Sequence, residues 1–218
     1  TSFPPLVNSG ATLSLLSAEN KTIHAVAYTT DWYGSPAKAN GGYSLEMIDD
    51  LNPCTGAPNW TASSSPQGGT PGKPNSVSAT NKDVTPPALV SAYLVALNVL
   101  IVQFSETLDS SSAVAFANYR LQPAIEVTGV KALNPLLQQV ELTLAAPFDS
   151  NTIYTLTVIQ VADCSGNVLG TMRNRLPIGR PQPTEPADLV INELLFDPKP
   201  GGADYIELYN RSPKVLDL

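Results

Sequence analysis

Apolar and polar residues alternate with a period of two along much of this chain. Leu13 and Leu15 in "TLSLLS", Leu100, Val102 and Phe104 in "VLIVQF", Val140, Leu142 and Leu144 in "QVELTL", Tyr154, Leu156 and Val158 in "YTLTVI", and Ile206 and Leu208 in "YIELY" follow this pattern. Successive side chains of a strand point to opposite faces, so such runs predict half-buried strands. Turn clusters separate them: "NSG", "SPQGGTPGKPNS", "DCSGN" and "PKPGG" concentrate the Pro and Gly that set or permit tight-turn dihedrals. A helical period is nearly absent. Only residues 109–119, "DSSSAVAFANY", offer Asp and Ser caps before an Ala-containing stretch, and one short helix at most is expected. Short strands with regular turns predict an all-β chain of Ig-like β-sandwiches joined by Pro/Gly-rich linkers.

Two stretches lack strand periodicity and read as those linkers. Residues 63–87 are rich in Pro, Gly, Ser and Thr and carry too little apolar surface to fold alone. Residues 177–188, "PIGRPQPTEPAD", hold four prolines and are expected to be extended and stiff. Three segments follow, 1–75, 84–178 and 187–218. The middle one has the length of a complete sandwich, whereas the last offers two or three strands and is too small to be stable by itself.

Composition narrows the function classes. The 218 residues are 43% hydrophobic, enough for one substantial core or two modest ones. Nineteen acidic against 12 basic residues give a formal net charge of −7, which disfavours nucleic acid as a partner because phosphate contacts need clustered Lys and Arg. No apolar run approaches the roughly 18 residues of a membrane span, and none is expected to insert. The opening "TSFPPLVNSG" has neither a starting Met nor a signal-like apolar core. The chain is therefore read as a piece of a longer, exported polypeptide.

Residues 189–218, "LVINELLFDPKPGGADYIELYNRSPKVLDL", resemble the opening half of a lamin-tail domain, with its Ile-Asn-Glu strand, Asx-Pro turn and Asp-Tyr-Ile-Glu-Leu-Tyr-Asn strand. Residues 3–75 resemble the closing half of the same kind of domain through "NSGATL", "YTTDW", "GGYSLE" and "NWTASSSPQGGTPGKPN". Residues 84–178 resemble an S-layer-type bacterial Ig-like domain through "FSETLD", "NY" and "DCSGN". These resemblances imply a tandem array of lamin-tail and Ig-like modules on a bacterial surface or outside the cell, with the chain running from the end of one repeat to the start of the next. Unpaired strand edges at both ends then call for completion. The expectation is that 187–218 complete the sandwich begun by 1–75, within one chain ahead of head-to-tail between chains. The alternative is that the missing parts belong to the rest of a larger protein.

Candidate chemistry is sparse. His24, the single histidine, alternates with Ile23 and Ala25 on a predicted strand, and a surface or packing role is preferred to a catalytic one. No phosphate-loop, dinucleotide or zinc-protease motif occurs. Glu106 and Asp109 in "SETLD", with Asp163 in "DCSGN", are hard-oxygen candidates for calcium, although the preferred reading has Asp163 bracing its own turn. Glu193 and Glu207 on the final strands can pair as acid and base only at a suitable separation, and solvent-facing roles are preferred. Cys54 and Cys164 fall in different segments, and an exported location permits a disulfide if their Cα atoms come within about 7 Å. The alternatives are free thiols or a partner elsewhere. Trp32, Tyr33, Tyr43 and Trp60 can form a sugar-binding face, although Trp32 and Trp60 read better as core.

The sequence thus predicts a non-catalytic structural, spacer, stalk or adhesion segment of a large secreted bacterial cell-surface protein. No cofactor is expected, and the partners are neighbouring domains of the parent. The rival is an accessory or targeting module of a secreted nuclease- or phosphatase-type hydrolase, because lamin-tail domains also accompany such enzymes. Carbohydrate or calcium capture is the third reading.

Overall fold

The computed structural model describes residues 5–150 and 152–216. The fold is all-β. Its centre is a sandwich of two antiparallel sheets. One has the order β5-β6-β9-β8, from β5 (Leu89–Ala96), β6 (Val99–Phe104), β8 (Val127–Leu133) and β9 (Gln139–Leu144). The other is β11-β10-β7, from β7 (Tyr119–Gln122), β10 (Tyr154–Val158) and β11 (Arg175–Ile178). The period-two pattern is realised directly on β9 and β10: Val140, Leu142, Leu144, Leu156 and Val158 are no more than 1% exposed. Each such side chain contributes about 1.5–3 kcal/mol relative to leaving it in water. Phe148 stacks on Tyr154 with ring centroids 4.3 Å apart and closes the core at the start of β10.

Where a helix is expected over 109–119 there is one turn, α2 (Ser110–Ala113), capped by Asp109, whose Oδ1 accepts from the Ser112 amide at 2.8 Å. A 3-10 turn at Phe116–Asn118 then leads into β7. A second single turn, α1 (Pro36–Ala39), also forms, so the limit of one helix is too low. Pro36 presets its first turn, and the Gly41–Gly42 pair, both with positive φ, follows its end.

The first segment carries two small hairpins. β1 (Gly10–Leu16) pairs with β2 (Thr22–Thr29), and β3 (Leu45–Met47) pairs with β4 (Trp60–Ala62). Of the stretch 63–87, read as a linker too poor in apolar surface to fold alone, residues 63–81 are built onto this segment. Glu46 is 4% exposed, and its carboxylate accepts from Thr70 Oγ1, the Ser76 amide and Ser76 Oγ, each at 2.7 Å. Further along, the Ala79 amide donates to Ile48 and the Asn81 amide to Asp49 Oδ2 at 2.8 Å. Buried Asn59 receives Asn81 Nδ2 on its oxygen and donates to the Asp49 and Asn52 carbonyls. A Ser/Gly/Pro stretch that cannot make a core is held by a polar network around a buried carboxylate.

The last hairpin, β12 (Leu189–Leu195) with β13 (Tyr205–Asn210), pairs only with itself among the described residues. It is tied to the central sandwich near the start of β10. Gln182 donates through its amide to Val215 and through its side chain to Ser150, and Lys214 pairs with Asp188 at 2.9 Å and Glu185 at 3.2 Å. Val215 packs so closely on Gly179 that a Cβ there would sit 2.4 Å from its methyl group.

Candidate functional site: the junction of the first segment and the central sandwich

The two cysteines meet beyond the end of β10. Cys54 and Cys164 form a disulfide with a Cα separation of 6.3 Å, linking positions 110 residues apart. Cys164 lies in the "DCSGN" turn, which is shaped by its neighbour Asp163. Asp163 Oδ1 accepts from the Ser165 and Asn167 amides at 2.9 and 2.8 Å, and Oδ2 from Asn167 Nδ2 at 2.8 Å. The same Asn167 amide group reaches the Asp83 carbonyl, tying the turn to the strand of chain that arrives from the first segment. On the other side, His24 Nε2 donates to the Pro53 carbonyl at 3.1 Å, fixing β2 to the cysteine loop.

Three carboxylates gather here. Asp83, Glu106 and Asp163 have oxygens all within 4.8 Å of one another. Glu106 and Asp163 belong to the trio picked out in the sequence, whereas Asp109 stays apart, occupied by Ser111 Oγ and the Ser112 amide, which hold its carboxyl below the usual range. Asp83 takes its place because β5 pairs antiparallel with β6, so the residues before β5 run beside those after β6; Leu89 opposite Phe104 and the Ala88 amide on Ser105 Oγ show this register. A sequence reading that paired "ALVSAYLVA" with "VLIVQF" would have found it.

Burial pushes Glu106 up to about 7, helped by the charges of Asp83 and Asp163. The arrangement therefore favours the protonated form of Glu106. A cleft of about 580 Å³ opens beside it, lined by Trp32, Cys54, Thr55, Pro58, Asp83 and Glu106. Thr55 Oγ1 is the one buried side-chain polar atom without a partner among the described residues.

The aromatic candidates divide between two surfaces. Trp32 and Trp60 pack against each other, centroids 6.1 Å apart, both half-buried. Tyr33, Tyr43 and Trp60 line a separate groove of about 460 Å³ between the two hairpins of the first segment, together with Leu13, Val26 and Tyr28. The Tyr33 hydroxyl donates to the Tyr43 carbonyl, and Lys38 Nζ lies 5.1 Å over the Tyr43 ring. Glu193 and Glu207 face each other across β12 and β13, but Tyr205 donates to Glu193 and Asn192 to Glu207, so each carboxylate is already engaged.

No family model matches this chain, and no curated protein matches it. Three solved structures of the bacterial S-layer protein SbsC show a partial likeness. Its N-terminal part has 18% identity and a TM-score of 0.39, over 49% of this chain and 26% of that one. Its domains 1–6 have 17% identity and a TM-score of 0.40, over 50% and 16%. The fragment described as rSbsC(31-844) has 18% identity and a TM-score of 0.38, over 49% and 15%. Likeness at this level shows no family.

Proposed function

We propose that this chain is a non-catalytic structural segment of an exported surface protein, a spacer in which the first segment and the central sandwich act as one stiff body. The observation that carries this reading is the junction itself. A disulfide, the Asn167 contact to Asp83 and the ordered 63–81 stretch replace what would otherwise be a flexible tether. A disulfide across it also suits an oxidising location outside the cytosol. Under tension such a segment resists extension, because residues between Cys54 and Cys164 cannot be drawn out while the bond holds. At about 3.3 Å per residue, the 110-residue separation withholds on the order of 360 Å of contour length.

Single-molecule stretching tests this. The oxidised chain is expected to release that length only after reduction or in the Cys54→Ser/Cys164→Ser variant. Equal extension of the oxidised and reduced chains would remove the basis for a spacer role.

A further inference from the structure

The molecule carries an unfilled apolar groove at one end and an uncovered apolar strand pair at the other. In the groove, Leu13 lies opposite Val26 and Ala11 opposite Tyr28, so one face of the β1–β2 hairpin looks across to Tyr43 and Trp60 with space between. In the terminal hairpin, a bulge between Ile191 and Glu193 keeps the cross-strand pairs Ile191–Leu208 and Leu194–Ile206 on a common face. These four side chains are 46–62% exposed. A two-stranded hairpin with an open apolar face is marginal alone, and the free edges of β12 and β13 are templates for further pairing.

Among the described residues the two ends do not pair with each other within one chain. The first segment is fixed beyond the end of β10 by Cys54–Cys164, whereas the hairpin is fixed before its start by Gln182, Ser150 and Val215. The central sandwich stands between them. Each chain thus offers one groove and one hairpin pointing to different neighbours. Charge favours the match only at the hairpin's turn, where Asp197 and Asp204 stand against Lys199, while no acid lines the groove and Lys38 stands at its rim.

We propose that the terminal hairpin of one copy docks, apolar face inward, into the first-segment groove of the next copy, so that the chain assembles head to tail. Such a contact joins two different surfaces and propagates as a filament or closes as a ring. It goes beyond the spacer reading and stands without it.

The test is light scattering of the intact chain over a concentration series. Wild type is expected to grow in mass with concentration, while Leu13→Asp and Ile206→Asp each stay at the 23.0 kDa of one chain. Mixing the two variants keeps one intact hairpin and one intact groove, so the mixture should stop at a single one-to-one dimer. Circular dichroism and thiol titration confirm that each variant folds and keeps its disulfide. The inference is overturned by wild type that is monomeric up to millimolar concentration, by oligomers that survive both substitutions, or by a mixture that fails to pair. Should Leu13→Asp not fold, Ile206→Asp mixed with limiting wild type must still cap the assemblies.

Discussion

The central sandwich and the first segment reach order by different physics. The sandwich buries Leu100, Val102, Val140, Leu142 and Leu156 at 0% exposure and needs no polar group to do so. The first segment has no comparable apolar core; the groove between its hairpins is open, and what fixes 63–81 is Glu46, Asp49 and Asn59 with their donors. Apolar burial is non-directional and tolerates loose matching. A buried carboxylate with each oxygen engaged demands particular partners, and loses more when one is removed.

The sharpest way to break this contrast is a cavity in the sandwich. Leu142→Ala is expected to cost about 2–5 kcal/mol, read as a lowered urea midpoint for the whole molecule. The matching test in the first segment is Glu46→Ala, which leaves Thr70 and Ser76 donors without their acceptor. A loss of about 1.5–3 kcal/mol is expected, confined to that segment and visible as proteolytic nicking in 63–81 while the sandwich keeps its transition. If Glu46→Ala leaves 63–81 as resistant as wild type, the polar network does not hold the stretch.

Acidity separates the two carboxylate environments with a smaller effect. Burial alone would raise Glu46, but donors on Ser76, Thr70 and Ser63 and the Ser76 amide outweigh it and hold it at about 2. The folded value lies below the ordinary 4.5, so its contribution is complete above 4.5 and is lost as pH falls toward 2. Glu106 runs the other way. Its folded value of about 7 exceeds the ordinary 4.5, so its contribution is complete below 4.5 and is lost as pH rises through 7. Glu106→Gln should flatten the decline between pH 4.5 and 7 in thermal unfolding followed at the junction, and an unchanged slope would assign that decline elsewhere.

The same contrast explains what could be read in the sequence. Alternation located β6, β9 and β10 because each has a partner sheet to bury one face against, and the period reports that burial. It also located β13, where Ile206 and Leu208 sit on the common face yet remain exposed, because period shows which face is apolar and not whether anything covers it. Residues 63–81 look like a tether because hydrogen bonding to a buried carboxylate has no period; Glu46 is separated from Ser76 by 30 residues. The candidate site was half legible. Asp163 announces its turn through "DCSGN", whereas Asp83 joins it only through the β5–β6 register and a contact spanning 84 residues from Asn167.

The first segment and the central sandwich are expected to move as one body. Residual dipolar couplings measured for amides of β1–β4 and of β5–β11 in the oxidised chain test it most directly. A single alignment tensor should fit both sets, and separate tensors should appear in Cys54→Ser/Cys164→Ser. Two distinct tensors already present in the oxidised chain would mean that the two parts move independently despite the disulfide.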